Sequence, residues 1–483
     1  MFILSKQLPG TLLSSLENSK GFNKSSFEAV HYSGEQVTSV RLNPQKWIIP
    51  EEDLLQEKND ESMEQSGHST THLTLNHSSF NIDHAVPWCP YAYYLKERPS
   101  FTQDPYLHAG MYYVQEASSM FLWEALQQTV GDKTEGLKVL DLCAAPGGKS
   151  TLLASYFYDG LLVSNEVIKS RASILVENIS KWGTGNVIVS NNDPKDFKSL
   201  EGYFDVMVVD APCSGSGLFR RDADAIDEWS EENVQLCSQR QQRILADAYN
   251  ALKEDGILIY STCSYSKEED EDIIDWICQD LPFENIRLQK TEAMGIIEVQ
   301  SEKMKAYGYR FYPDKLLGEG LFIAVFKKKE ESAFKEKHFK LVPVTKAERS
   351  IIQPWLNRED LFLFRQGENV LAIADKWSND TALLQKHLYL RKAGVTVGSI
   401  KGKELVPHHE LAVSLCLNKN VPFNQVDLSE ALAYLKKKEM ALPINNLKGW
   451  TVAKYKSANL GWMKILSNRI NNYYPTEWRI LKD

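Results

Sequence analysis

Between residues 138 and 260, short and almost unbroken apolar runs alternate with stretches whose apolar positions recur at helical spacing. The runs fall at 138–143, 161–164, 186–190, 205–209 and 256–260, and the helical patterns at 149–157, 168–182 and 231–253. Continuous short apolar runs are what strands buried on both faces require, so the alternation predicts parallel strands joined by covering helices. The expected fold is a doubly wound, Rossmann-like α/β domain over about 111–329.

The flanks read differently. Residues 1–110 form a small α+β segment, with a strand around Val37–Leu42 and an aromatic, ordered stretch from Val86. Inside that segment, residues 51–65 carry seven acids against one lysine, followed by Ser, Thr, His and Asn without apolar periodicity. This composition predicts a mobile insertion over 51–83. Gln115–Leu126 has helical spacing. The charged stretch 327–332 reads as a linker, followed by a middle α+β segment over 335–400 and a β-rich module over 401–483.

Charge changes the picture once it is counted by region. The net charge is −9, yet residues 331–483 hold 24 Lys+Arg against 15 Asp+Glu. A basic C-terminal part on an acidic protein suits a phosphate-bearing partner. Lys454, Tyr455, Lys456, Trp462, Lys464, Arg469, Tyr473 and Tyr474 interleave bases with aromatics, a pattern for phosphate contact and base stacking, with Trp450 and Trp462 expected mostly in the core. The start, MFILSKQLPG, lacks a signal-type apolar core, and no run of roughly 20 apolar residues follows, so the expectation is a cytoplasmic protein with no membrane span. The seven cysteines show neither a disulfide framework nor zinc-ligand spacing and read as free thiols. His408-His-Glu410 has no third ligand at suitable spacing and reads as a solvated loop, so no metal is expected.

Candidate chemistry gathers at the ends of the expected strands. The first runs into Cys143-Ala144-Ala145-Pro146-Gly147-Gly148-Lys149 and then a helix, a place where α/β sheets hold cofactors. Gly-Gly-Lys-Ser imitates a phosphate-binding loop, but Cys143 occupies the place of its first glycine, and G-x-G-x-x-G is absent. That leaves a nucleoside cofactor without a pyrophosphate. Glu166, Asp193 and Asp210 close the next three strands and would line one crevice, although any one of them alone could be a helix cap. Cys213 and Cys263 follow the fourth and fifth strands in polar turns, where a thiol can become a nucleophilic thiolate. Cys89, Cys237, Cys278 and Cys416 read as inert packing.

The loop Cys143–Lys149, the turn Asp210-Ala-Pro-Cys-Ser-Gly215 with Phe219-Arg-Arg-Asp222, and Ser261-Thr-Cys-Ser264 followed by Glu268-Glu-Asp-Glu271 resemble the Sun/Fmu-type RNA cytosine-5 methyltransferases. Val86-Pro-Trp-Cys-Pro-Tyr91, Arg98-Pro-Ser-Phe101, His108-Ala-Gly110, Tyr113–Ser119, Gly449-Trp450, Leu460-Gly-Trp462 and Asn472-Tyr-Tyr-Pro475 extend the likeness to the RsmF-like branch, which acts on small-subunit ribosomal RNA. Two departures are small: Arg221-Asp-Ala-Asp224 replaces Arg-Lys-Asp-Pro, and Asp270 stands where Asn is common.

The resemblance implies S-adenosyl-L-methionine as cofactor, RNA as partner and a PUA-like C-terminal module. It assigns Cys263 as the nucleophile at carbon 6 of cytosine and Cys213 to product release. Asp210 would support the ring during addition and border the cofactor; Cys143–Lys149, Glu166, Arg171 and Asp193 would hold the cofactor. The target base must leave its stack to meet both thiols, so single-stranded or looped RNA is expected. Arg220 and Arg221 are candidates for adjacent phosphates, or simply surface arginines. Transfer RNA as substrate remains an alternative, as does a non-catalytic ribosome-assembly factor, which would need neither thiol.

Overall fold

The computed structural model describes residues 6–47, 80–332, 334, 338–439 and 448–481. Most of the expected 51–83 insertion lies outside them. Its last residues belong to the fold: Phe80 stacks edge-on against Tyr112 at 4.5 Å, and Ile82 opens a strand.

The leading segment builds a four-stranded antiparallel sheet from β1 (Thr38–Leu42), β2 (Ile82–Ala85), β3 (Ala92–Leu95) and β4 (Tyr112–Val114), in the order β2-β3-β1-β4. The Gln115–Leu126 stretch becomes a 3-10 turn, Ser118–Phe121, running into the helix Leu122–Thr129.

The central sheet contains β5 (Lys138–Asp141), β6 (Leu161–Asn165), β7 (Val187–Ser190), β8 (Phe204–Asp210) and β9 (Leu252–Thr262), all parallel and ordered β9-β8-β5-β6-β7. Helices Gly148–Tyr156, Lys169–Trp182 and Glu231–Ala248 connect them. Side chains alternate between two cores, Leu140, Met207 and Leu258 on one face and Val139, Val208 and Ile259 on the other. That double burial explains why the sequence shows runs rather than alternation.

The sheet reaches further than the apolar runs indicate. β9 starts four residues before the expected 256, because Asp255 takes a left-handed conformation (φ 59°) inside the strand and the Glu-Asp-Gly sequence reads as a turn. β10 (Phe283–Ile286), β11 (Ile297–Gln300), β12 (Tyr307–Phe311) and β13 (Leu321–Lys328) add an antiparallel edge, with β13 against β9. Lys327 and Lys328, expected in a linker, therefore lie in β13. Strand alternation turns Lys328 inward, where it is fully buried and donates to the Leu252 carbonyl at 2.8 Å.

Beyond the charged stretch, β14 (Leu361–Gln366), β15 (Asn369–Ala374), β17 (Val395–Lys401) and β18 (Glu404–Pro407) form a second small sheet. β16 (Leu390–Ala393) leaves it to pair antiparallel with β7, tying this segment to the central sheet. The final sheet joins β19 (Phe423–Val426), β20 (Gly449–Tyr455), β21 (Ala458–Ile465) and β22 (Ile470–Asn472). It shares a core with the leading segment, in which Val40, Tyr106 and Tyr112 meet Tyr434, Leu460 and Tyr474. The first and last parts of the chain thus brace each other beside the central sheet.

Candidate active site

All five parallel strands point their C-terminal ends to one edge, and there the sequence candidates are distributed. At the end of β5, Asp141 is fully buried. One of its oxygens accepts from Ser150 Oγ at 2.6 Å, and Oδ1 has no partner among the described residues. Burial pushes its carboxyl up to about 7.

The Cys143–Lys149 loop then turns through Gly147, whose φ of 118° favours glycine and caps the helix Gly148–Tyr156. Arg171 donates to the Ala145 carbonyl and Asn178 to that of Pro146, both at 2.8 Å, so the helix after β6 holds the loop by its backbone. Arg171 also faces Glu166 at 3.6 Å. Glu166 is buried and accepts from the Ile168 amide at 2.8 Å. Asp193 accepts from the Lys195 amide at 3.2 Å and caps the 3-10 run Pro194–Leu200, so the capping alternative describes its present contact. Cys143 is held as a thiol, its pKa pushed up by burial and by Asp141.

Lys149 crosses from the loop to β8, with Nζ 2.9 Å from Asp210 Oδ2, and Ser261 Oγ donates to the other oxygen at 2.8 Å. Burial opposes the charge on Lys149, and Asp210 more than offsets it, keeping the ammonium above its ordinary pKa. Cys263 lies within the same electrostatic environment. Its sulfur is 2.9 Å from that of Cys213, with both residues partly exposed, although 50 positions separate them.

Several residues that frame the thiols carried no physical signal in the sequence. Glu269 is fully buried between the two cysteine turns and accepts from Ser214 and Ser264, the residues that follow the two cysteines. Asp270 accepts from Thr262 Oγ1 at 2.7 Å and pairs with Arg310 at 3.1 Å. Arg310, buried, also holds Glu271 and the Tyr265 carbonyl. The run 268–271 stood out as a motif, but its partners come from β12 and the two turns, which no local pattern reveals. Arg41 of β1 is buried against the Trp182 ring and donates to Gln115, Thr151 and the Gly148 carbonyl, anchoring the loop helix to the leading sheet.

Two expectations are corrected. Arg220 is not available for phosphate: it is buried, paired with Glu319 at 3.4 Å, and donates to the carbonyls of Gly318 and Glu35. Arg221 is exposed. His408-His-Glu410 is not a solvated loop, for Glu410 is buried with Lys392 and His409 is packed between Tyr474 and Trp478. Among the described residues no cluster of three potential metal ligands occurs, and no helix is long and apolar enough to cross a membrane.

In the last sheet, Trp462 is core as expected and donates to the His408 carbonyl. Tyr474 is core too, against His108. Lys464 lies over Trp450 at 5.1 Å, Lys454 over Phe423 at 4.7 Å, and Tyr473 is 41% exposed, leaving a face of bases and aromatics.

Three family models match the chain: 16S rRNA methyltransferase RsmB/F over 128–327, the N-terminal domain of 16S rRNA methyltransferase RsmF over 8–117, and the methyltransferase RsmF PUA domain over 422–480. A ribosomal RNA small subunit methyltransferase F from Psychromonas ingrahamii is 30% identical over 420 residues, covering 81% of this chain and 85% of the relative. Its counterpart from Shewanella loihica is 29% identical over 411 residues, covering 81% and 83%. Among solved structures, a methyltransferase homolog protein from Pyrococcus horikoshii superposes with a TM-score of 0.50 at 27% identity, covering 66% of this chain and all of that one.

Proposed function

Since the chain belongs to the RsmB/F family of 16S rRNA methyltransferases, with the family's RsmF N-terminal and PUA domains, we propose that it methylates carbon 5 of cytosine in small-subunit ribosomal RNA. The observation that carries this reading is the meeting of Cys213 and Cys263, 2.9 Å apart, at the strand edge beside Lys149 and Asp210.

Carbon 5 of cytosine is a weak nucleophile until a group adds at carbon 6 and makes the ring an enamine. Cys263 adds through its sulfur, as the thiolate. In this reading Asp210 hydrogen-bonds the ring and balances charge as addition proceeds. After the methyl group is on carbon 5, a base at the site takes the carbon 5 proton, the carbon 6–sulfur bond breaks to return the Cys263 thiolate, and the aromatic ring is restored. Cys213, in contact with that sulfur, assists this release.

The residues present fit S-adenosyl-L-methionine, which when bound supplies an electrophilic methyl group on a sulfonium. Asp141 Oδ1, buried and unpartnered, suits a cationic neighbour, and Glu166 and Asp193 close the next two strands at the same edge. The Cys143–Lys149 backbone, steadied by Arg171, forms the floor. RNA would be gripped by the C-terminal face of Lys454, Lys456, Lys464, Arg469, Trp450 and Tyr473.

Transfer of labelled methyl to unmodified small-subunit ribosomal RNA, naked and as subunits, tests the reading. Wild type is expected to make 5-methylcytosine, Cys263→Ala none, and Cys213→Ala a trapped protein–RNA adduct. 5-Methylcytosine made by Cys263→Ala would overturn the nucleophile assignment, and label on transfer RNA alone would overturn the substrate.

A further inference from the structure

Glu269 makes one carboxylate serve two turns from different strands. Its Oε1 accepts from the Ser214 amide at 2.8 Å and from Gln241 Nε2 at 3.1 Å. Its Oε2 accepts from Ser214 Oγ and, at 2.6 Å, from Ser264 Oγ. Ser214 follows Cys213 and Ser264 follows Cys263, so each sulfur is one residue from the same fully buried group. Tyr260, itself buried, donates its one hydroxyl proton to the Glu269 carbonyl at 2.7 Å, which fixes the carboxylate's own backbone.

We infer that Glu269 is a positioning residue that clamps the two cysteine turns together and keeps the site's negative charge off Cys213. The inference rests on the two-thiol reading. Two sulfurs 2.9 Å apart cannot both be ionised at modest cost, so the pair holds at most one charge. Lys149 is near enough to Cys263 for the two to interact electrostatically. On the other side, the thiol of Cys213 is pushed well up by its contact with Cys263, by burial, and by the negative fields of Cys263 and Glu269. The nucleophile is thereby distinguished from its partner before any RNA arrives.

Two substitutions separate reach from charge. Glu269→Gln keeps the length and one acceptor but no charge; Glu269→Asp keeps the charge but falls a methylene short of spanning both turns. Iodoacetamide labelling is followed by peptide mass spectrometry. In wild type Cys263 should react ahead of Cys213 by about tenfold or more near neutral pH, and in Glu269→Gln that lead should shrink about tenfold. Glu269→Asp should keep the lead, while kcat falls by about tenfold or more with KM for RNA unchanged. Ser264→Ala, which removes the Cys263-side bond to Glu269 and leaves both Ser214 bonds in place, should show the same kcat loss and reads the clamp should Glu269→Gln not fold. An undiminished lead in folded Glu269→Gln, or wild-type kcat in Glu269→Asp or Ser264→Ala, would overturn the inference. Labelling needs no RNA, so a wild type that methylates none sinks the two-thiol reading while the label ratio still decides the charge placement.

Discussion

Lys149 Nζ and Asp210 Oδ2 meet at 2.9 Å, joining the glycine-rich loop after β5 to the last residue of β8. Asp210 thereby holds the lysine where its field reaches Cys263. Lys149→Met removes that field and leaves Asp210 without its cation. Methyl transfer should fall by about 10²-fold or more. Asp210→Asn should lower kcat more than KM, as steady-state kinetics on ribosomal RNA would show.

Gly217, four residues past Cys213, is pressed against the Cys263 turn and the β12–β13 connection. A methyl group there would stand 2.7 Å from the carbonyl oxygens of Cys263 and of Gly320, both backbone atoms that cannot swing aside. Gly217 also donates its amide to the Cys263 carbonyl at 2.8 Å. Gly217→Ala should therefore displace the nucleophile by a fraction of an ångström. The expected outcome is a loss of about 10²-fold in turnover, with far-ultraviolet circular dichroism unchanged.

Arg310 is the cation shared by two buried acids, Asp270 and Glu271. Cutting its side chain to methionine leaves two carboxylates in the interior without a cation, which should cost about 3–5 kcal/mol of stability. Urea unfolding at neutral pH would measure it. Arg358→Met is the control: its pair with Asp360 lies at the surface and should contribute no more than about 1 kcal/mol.

His31 packs against Phe27 at 4.1 Å, and burial lowers its pKa to about 4 from an ordinary 6.5. The folded state therefore binds this proton less readily than the unfolded chain. Its stabilising share is complete above 6.5 and lost as pH falls from 6.5 toward 4. His31→Phe keeps a ring but cannot titrate. Between about pH 7.5 and pH 5, wild type should lose about 2 kcal/mol more than this variant in urea unfolding. Using the difference cancels Asp141 and Glu319, whose carboxyls burial raises to about 7 and whose contributions run the other way.

On the basic face of the last sheet, Lys454 and Lys464 lie over aromatic rings. If they meet RNA phosphates, each substitution by alanine should weaken binding to all RNA sequences alike. Each should also reduce the slope of log affinity against log salt by about 0.7. Arg220, locked to Glu319, should leave that slope unchanged when replaced by lysine.

The parallel strands were legible because burial on both faces writes itself as unbroken apolar runs, and a parallel sheet necessarily sends every strand end to one edge. Those two facts, with loop chemistry, were enough to bring Cys143–Lys149, Glu166, Asp210, Cys213 and Cys263 into one neighbourhood. Local sequence was less informative wherever a polar residue's partner came from elsewhere in the chain. Lys328 read as linker because a buried lysine at the end of a strand looks, in sequence, like surface charge. Arg220 read as a phosphate ligand because Glu319 lies 99 positions away. Glu410 read as solvated because Lys392 meets it only when β16 crosses to β7.

What the sequence by itself determined is therefore the periodic part of the molecule and the chemistry of each loop, since periodicity and turn composition are local properties. Tertiary structure alone decided which charges are buried, which are paired and how the two thiols face each other. Those outcomes depend on hydrogen bonds between segments far apart in the chain, and on the cost of leaving any buried charge unmet. Glu269 shows the division plainly: one acid in an acidic run by sequence, and in the fold the group that holds Ser214 and Ser264 together.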